Sequence, residues 1–409
     1  MSAPQPICVV GAGLAGSRAV FALRKGGFEG RVLLLGAEEE PPYDRPPLSK
    51  EYLMGRMDRS RLLLLPPTYY RDQAIEWHGG TRVVEIHRGD RRLVLSDGRQ
   101  VTYQKLLLTT GSDPSTLDLP GSELEGVGTV RDLSDADELR SRLLQRPRVL
   151  VIGAGFLGCE LAAVARELGC PVVVAEAGPA VMSGMGAEAS AFITRLHRER
   201  GVDLRCSTAV LRLHGRARVE AASLSDATRV DCDLVLMCVG ARPRTELAVA
   251  TGLRVSDGIL TDSHCRTSDP AIFAAGDVAR FWHPGLRRRI RLEHWDNAQR
   301  QGLHAGAAML GSPALYQPLP YFWSEQYDST LQRVGIPGPH QTQVNRGDPL
   351  SSSFSIVYLN GPVVTAWLAV NRVSELTAAR RLIGQRTEVD PQALARPATD
   401  LQGLAQSSG

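Results

Sequence analysis

Ile7-Cys8-Val9-Val10-Gly11-Ala12-Gly13-Leu14-Ala15-Gly16 returns later in the chain as Val149-Leu150-Val151-Ile152-Gly153-Ala154-Gly155-Phe156-Leu157-Gly158. Each copy opens with four apolar residues, the composition of a strand buried on both faces of a parallel sheet. Each then runs through G-x-G-x-x-G into a stretch rich in alanine and leucine, Ala19 to Lys25 and Leu161 to Leu168, which predicts a helix. Gly26 and Gly169 follow, as expected of helix C-terminal caps. A second apolar strand comes next in both, Val32 to Leu35 and Val172 to Ala175. Beyond it stands an acid, Glu38 and Glu176, about 20 residues after the glycines, where ribose hydroxyls are recognised. One such glycine motif is weak evidence. Two, each between a strand and a helix and each with its acid, predict two βαβ units and two dinucleotide sites. The glycines let the main chain approach a pyrophosphate, whose charge then lies at the helix N-terminus. A tightly held flavin and an exchanging nicotinamide are the natural pair, since hydride passes directly between such rings when they stack.

The 409 residues suggest two or three domains, and 43% hydrophobic and 22% charged residues are ordinary globular values. A net charge of +3 is too small to point to nucleic acid or to a membrane surface. Met1 to Pro6 lack the basic start and apolar run of a signal peptide, and Leu62 to Leu65 stop at Pro66, far short of a membrane span. A cytoplasmic location is the expectation. None of the seven cysteines forms a C-x-x-C pair, so buried reduced thiols are expected, with no disulfide framework and no metal site.

Between and after the two repeats, Thr81 to Ile86, Arg92 to Ser96 and Val101 to Tyr103 read as short strands, with Ser96-Asp97-Gly98-Arg99 as a hairpin turn. Leu106-Leu107-Leu108-Thr109-Thr110-Gly111, a strand ending in a turn, Val235 to Val239 before Gly240, and Ile272 to Ala275 before Gly276-Asp277 read as buried strands. Asp277 has two readings: a hydrogen-bond acceptor for the ribityl chain of a flavin, or a plain helix cap. Arg287-Arg288-Arg289-Ile290-Arg291 is the one dense basic cluster, either a solvated hairpin or part of a docking face for an acidic protein. From about Leu319 the pattern shifts to mixed strands, including Ser353 to Leu359 and Val363 to Val370, then a helix from Glu375 to Ile383. The polar tail from Arg396 is predicted to be disordered.

Three further stretches carry a resemblance: Tyr43-Asp44-Arg45-Pro46-Pro47-Leu48-Ser49-Lys50, Arg291-Leu292-Glu293-His294-Trp295-Asp296-Asn297-Ala298 and Trp323-Ser324-Glu325-Gln326. With the paired fingerprints they make the chain, from Ile7 to about Ile383, resemble the NADH-dependent ferredoxin reductases. Those flavoproteins serve cytochrome P450 and ring-hydroxylating dioxygenase systems. The resemblance implies FAD contacts at Gly11, Gly13, Ala15, Gly16, Arg45, Lys50, Val83, Arg131, Asp277 and Trp295. It implies NADH contacts at Gly153, Ala154, Gly155, Phe156, Leu157, Glu160, Glu176 and Gly240, with Gly158 completing the second fingerprint. It also implies that Lys50 lies beside the flavin ring paired with Glu160, the ammonium favouring an anionic reduced flavin and the carboxylate holding the ammonium in place.

Three departures stand out. Ala37 replaces a frequent aspartate, so the carboxylate for the FAD ribose either comes from Glu38 or is missing. Gly184 replaces a frequent arginine near the adenine ribose of the nicotinamide cofactor. Glu325 replaces an aspartate. No close pair of cysteines lies near the first fingerprint helix, as a disulfide reductase would need, and Ser49 stands about where related peroxidases carry a cysteine. The implied α/β architecture is glutathione-reductase-like, with two doubly wound, Rossmann-like dinucleotide-binding domains plus an α+β C-terminal domain. The expected ranges are 1–113 and 241–318 for FAD, 114–240 for NAD, and 319–409 for the last domain. The implied activity passes electrons from NADH through FAD to an iron–sulfur ferredoxin. The alternatives are a soluble NADH oxidase or monodehydroascorbate-type reductase with a small-molecule acceptor, or a redox-responsive flavoprotein of the apoptosis-inducing-factor type.

Overall fold

The computed structural model of the chain describes residues 5–338 and 342–406. Two compact units emerge. The first comprises Met1–Pro46, Asp58–Asp113 and Ala241–Pro318; the second comprises Pro47–Met57, Pro114–Gly240 and Leu319–Gly409.

A five-stranded parallel sheet organises the first unit, in the order Ile272–Ala274, Lys105–Leu108, Ile7–Val10, Val32–Leu35, Ile75–His78. Ile7, Val9, Val32, Leu34 and Leu107 face one apolar cluster, together with Ala19, Val20 and Leu23 of the helix Leu14–Lys25 and with Ala305 and Met309 of the helix Trp295–Met309. Cys8, Val10, Leu33, Leu35, Leu106 and Leu108 face the opposite cluster with Val83, Leu93 and Leu95. Both faces are therefore buried, which is why the strands read as unbroken apolar runs. Strand order reverses beside Ile7–Val10, and the first fingerprint sits at that strand's C-terminal end, the usual ligand position of an open α/β sheet.

Close backbone packing fixes this geometry. Gly11 has φ +106°, and a Cβ there would lie 2.1 Å from the carbonyl oxygen of Thr109. A Cβ on Gly16 would lie 2.0 Å from the Gly11 carbonyl oxygen, and one on Gly302 would lie 2.3 Å from that of Ala15. No side chain fits between the first fingerprint helix and the helix Trp295–Met309 at that crossing.

The second unit repeats the design. Its parallel sheet runs Asp203–Arg205, Val172–Ala175, Val149–Ile152, Leu234–Met237, Val127–Gly128. Gly153 has φ +99° and would place a Cβ 2.5 Å from the Cys238 carbonyl oxygen, and a Cβ on Gly158 would lie 2.0 Å from that of Gly153. A five-stranded antiparallel sheet follows, ordered Tyr321–Gln326, Ser329–Gly335, Val363–Val370, Phe354–Asn360, Thr342–Arg346. A bulge at Thr365 shifts the register, with Ala366 opposite Tyr358 but Val364 opposite Leu359. Beyond it Ala366, Leu368 and Val370 join the core that also holds Phe192 and Ile193, whereas Trp367 and Ala369 join a second core under the helix Leu376–Gln385.

The α/β class, the two parallel sheets and the C-terminal sheet match the sequence reading. Several details differ. Both fingerprint helices begin earlier than expected, at Leu14 and Phe156. Gly26 is the C-cap of the first helix as expected, in ordinary backbone (φ −80°), and the left-handed turn follows at Gly27 (φ +80°). Pro47–Met57 groups with the second unit, since Leu53 is buried in that unit's core. Residues 114–240 and 319–409 form one unit, because the antiparallel sheet shares an apolar cluster with the parallel one. The expectation of a disordered tail from Arg396 is overturned: Leu401–Gln406 is helical, and Leu401 and Ala405 are buried against the C-terminal core. Residues 407–409, and the first four residues weighed in the signal-peptide reading, lie outside the described residues.

All seven cysteines are unbridged and five are buried; burial pushes the Cys8 thiol up to about 12. Among the described residues, no helix is long and apolar enough to cross a membrane, and no cluster of three or more His, Cys, Asp or Glu side chains could hold a metal.

Gly302→Ala is expected to cost about 1–3 kcal/mol of unfolding free energy through overpacking, measured by urea denaturation. Gly384→Ala, on an exposed helix position with nothing within 4 Å of an added Cβ, is the control and should be neutral or slightly stabilising. Equal effects of the two substitutions would refute the close helix crossing as the cause.

Candidate functional site

Gly13 caps the helix Leu14–Lys25 and Gly155 caps Phe156–Glu167, and no side chain accepts a capping hydrogen bond at either end. A Cβ added to either glycine would meet nothing within 4 Å. Each helix N-terminus thus opens onto free space beside a bare backbone, the cradle a diphosphate needs. The residues present fit a dinucleotide in each unit.

In the first unit, Glu38 lies just past the strand Val32–Leu35 and accepts hydrogen bonds from the Tyr43 hydroxyl and the Arg45 guanidinium. Burial pushes this carboxyl up, but Arg45 and Tyr43 outweigh it, so Glu38 is held below the usual carboxylate range. The Arg45 guanidinium also stacks over the Tyr43 ring, 5.0 Å from its centroid. Trp295 donates its indole N–H to Asp44, and the Ser112 hydroxyl lies 3.2 Å from the Asp277 carboxylate. No helix follows Asp277. Val278 sits in a turn and Ala279–His283 is a strand, which removes the helix-cap reading. Val83 is buried in the core beside the parallel sheet.

In the second unit, a cavity of about 220 Å³ is lined by Ala154, Gly155, Phe156, Glu176, Met182 and Arg333, among others. Glu176 spans the fingerprint turn: one carboxylate oxygen accepts from the Ala154 N–H at 2.7 Å, the other from the Gly178 N–H at 2.6 Å. Leu157 packs against the core behind this wall. Gly240 has φ +102° and open space where a Cβ would lie.

Beside the cavity runs a buried polar chain that joins four stretches of sequence. The Glu160 carboxylate accepts from Lys50 Nζ, Ser49 Oγ and Ser324 Oγ, each at 2.8 Å. Lys50 and Glu160 side chains are only 10% and 8% exposed, so their ion pair is nearly dry. Having donated to Glu160, Ser324 Oγ accepts from Gln326 Nε2 at 3.0 Å. Gln326 Oε1 then faces His197 Nε2 at 2.8 Å, which assigns the ring proton to Nε2. The other ring nitrogen is buried without a partner, and burial lowers the His197 pKa despite the Gln326 bond. His197 therefore stays neutral, and the network carries the one negative charge of Glu160 against the one positive charge of Lys50.

Within the first unit the structure gathers Gly11, Gly13, Ala15, Gly16, Glu38, Arg45, Asp277 and Trp295, eight of the residues expected to hold FAD. Lys50 and Arg131 belong instead to the second unit, with every residue expected to hold NADH. Arg131 lies at the start of the helix Leu133–Leu143, where its backbone N–H donates to Asp135. Sequence reasoning missed the roles of Ser49, Ser324, Gln326 and His197. Three of the four fall inside quoted signature stretches, so position in a motif was the available signal; nothing local marked His197. It also missed Arg333, an isolated arginine in an otherwise mixed strand.

Glu160→Leu leaves a buried ammonium unpaired and should cost about 3–5 kcal/mol of stability. Lys50→Met with Glu160→Leu should recover a large part of that loss. Chemical denaturation of the two single variants and the double variant reads the coupling directly, and strictly additive effects would contradict a dry ion pair.

The chain matches known proteins along nearly its whole length. The pyridine nucleotide–disulphide oxidoreductase family matches residues 5–302, and the reductase C-terminal family matches residues 321–405. The ferredoxin–NAD(+) reductase component of the anthranilate 1,2-dioxygenase system of Burkholderia cepacia is 40% identical, over 97% of this chain and 98% of that protein. The covalent putidaredoxin reductase–putidaredoxin complex superposes with a TM-score of 0.95 at 36% identity, covering 100% of this chain and 99% of the other. The ferredoxin reductase for the CYP199A2 system of Rhodopseudomonas palustris also gives 0.95, at 35% identity over 98% and 100%. With two open-ended fingerprint helices and a C-terminal sheet matched from end to end, the chain belongs to the pyridine nucleotide–disulphide oxidoreductase family and, within it, to the ferredoxin–NAD(+) reductases.

Proposed function

We propose that the chain is an FAD-dependent ferredoxin reductase that takes electrons from NADH and delivers them to an iron–sulfur ferredoxin serving a cytochrome P450 or a ring-hydroxylating oxygenase. The observation that carries this reading is the end-to-end correspondence with ferredoxin reductases, including the C-terminal sheet. Bound FAD supplies two-electron acceptance from a nicotinamide and one-electron release to an iron–sulfur centre. Gly11, Gly13, Ala15, Gly16, Glu38, Arg45, Val83, Arg131, Asp277 and Trp295 are the residues proposed to hold it, all but Arg131 in a proposed FAD domain of 1–113 and 241–318. Residues 114–240 are proposed as the NADH domain, with Gly153, Ala154, Gly155, Phe156, Leu157, Gly158, Glu176 and Gly240 as its contacts. Lys50 is proposed as the catalytic cation, oriented by Glu160, because a fixed ammonium favours added negative charge on a ring beside it.

No sulfur relay is part of this reading. Ser49 donates to Glu160 and is no thiol, and Cys159, the cysteine next to Glu160, is a buried thiol pushed well above its ordinary value by burial. A cytoplasmic location is proposed on the unbridged state of all seven cysteines.

NADH should be preferred to NADPH by more than about tenfold in kcat/KM, because the Glu176 carboxylate on the cavity wall accepts ribose hydroxyls and repels a 2′-phosphate. Glu176→Ala should narrow that gap. Comparable efficiency of the parent with both cofactors would defeat the assignment.

Arg287 and Arg288 are exposed at the hairpin that joins the strands Ala279–His283 and Arg288–Ile290, beside the exposed Trp282. Arg289 donates to the Thr261 carbonyl and Arg291 pairs with Asp257 and Glu293, so only the first two arginines are left to a docking face. Turnover with a [2Fe–2S] ferredoxin should fall as salt rises, whereas flavin reduction by NADH should change little. Arg287→Ser with Arg288→Ser should raise the ferredoxin KM several-fold, on the order of one lost rim charge each. An unchanged KM removes the basic face. Failure to reduce any ferredoxin faster than a generic dye overturns the function.

A further inference from the structure

Two charged side chains line the second-unit cavity, Glu176 and Arg333. Glu176 belongs to the fingerprint unit. Arg333 comes from the strand Ser329–Gly335 of the antiparallel sheet, between the buried Leu331 and Val334. Its guanidinium lies over the Phe322 ring, 4.2 Å from the centroid, and one N–H donates to the Gly184 carbonyl. Nε is buried without a partner, and among the described residues no carboxylate is paired with this cation. Burial lowers its pKa to about 10. Gly184 lines the cavity with main chain only, and a Cβ there would stand in open space. An under-hydrated guanidinium with donors to spare, held open by a ring and a carbonyl, gains most from an anionic ligand.

We propose that Arg333 is a binding residue for the phosphate-bearing adenosine half of the nicotinamide dinucleotide, supplying from the C-terminal sheet the positive charge that the bare Gly184 does not. This rests on the reading of the cavity as a nicotinamide dinucleotide site. Glu176 and Arg333 divide the work: the carboxylate takes ribose hydroxyls and the guanidinium takes phosphate oxygen. The antiparallel sheet then contributes directly to cofactor affinity.

The test is calorimetric titration of the FAD-loaded protein with ADP-ribose and with adenosine. The parent should bind ADP-ribose at least about tenfold more tightly than adenosine, the factor one charge-assisted contact supplies. Arg333→Met, which keeps apolar bulk against Phe322, should weaken ADP-ribose binding about tenfold or more. The same variant should raise KM for NADH with kcat largely retained. Arg333→Lys should fall between the two, and Gly184→Arg added to Arg333→Met should restore part of the affinity. Unchanged ADP-ribose binding by Arg333→Met overturns the role of Arg333 and leaves the nucleotide site standing. So does a parent that binds adenosine as tightly as ADP-ribose, an outcome that needs no variant to fold. A parent that binds neither ADP-ribose nor NADH removes the nucleotide reading itself, and the role of Arg333 with it.

Discussion

A carboxylate buried beside a parallel sheet is tolerable only if both its oxygens are hydrogen-bonded and its charge is matched. Glu160 meets that condition with three donors from two places: Lys50 and Ser49 from the Pro47–Met57 segment, and Ser324 from the C-terminal sheet. The requirement reaches outward. Ser324 can donate to Glu160 because Gln326 donates to Ser324, and Gln326 is fixed because its oxygen meets His197. One charge in the second fingerprint helix thereby sets the position of a short loop, a sheet and the helix Ala187–Glu199. Such a network is worth most when complete, since a lost member exposes the next one to an unsatisfied buried group. This is also why Pro47–Met57 belongs to the second unit although its neighbours in sequence belong to the first.

The two fingerprint units obey one steric rule and differ in one electrostatic detail. In both, a left-handed glycine turns the chain under a neighbouring carbonyl, and the last glycine lets the helix close against the turn. In both, the middle glycine leaves the helix end open. The acids diverge. Glu38 is engaged by Tyr43 and Arg45, residues a few positions further on, whereas Glu176 folds back to brace the fingerprint turn itself. The first arrangement brings a cation to the acid; the second leaves the acid as the negative wall of a cavity whose cation arrives from another sheet.

That other sheet serves two cores at once. Its strands alternate between the core shared with the parallel sheet and the core under the helix Leu376–Gln385, and the bulge at Thr365 keeps both sets of side chains inward across a change of register. Burial on both faces accounts for the apolar run Val363 to Val370. It also leaves a second apolar surface needing cover at the chain's end, which Leu394, Leu401 and Ala405 help provide. Arg346, almost wholly buried, pairs with Glu375 and donates to the carbonyls of Leu394 and Pro397, holding that end in place.

The sequence alone determined the elements with a local period. Four-residue apolar runs, glycines at fixed offsets and an acid past the second strand specify two βαβ units, because each signal lies within about 30 residues and depends on backbone sterics. The observed strands Ile7–Val10, Val32–Leu35, Val149–Ile152 and Val172–Ala175 end where the residues indicate. Most residues of the two glycine cradles were legible for the same reason. The tertiary structure alone decided what depends on distant residues meeting. The Glu160 network joins positions 49, 50, 160, 197, 324 and 326, and Arg333 reaches a cavity formed around positions 154–156 and 176. The tail read as disordered from its polar composition, yet two apolar residues one helical turn apart, Leu401 and Ala405, suffice once a bare core face awaits them. A helix that short has no stability of its own, so only the surface it covers could specify it.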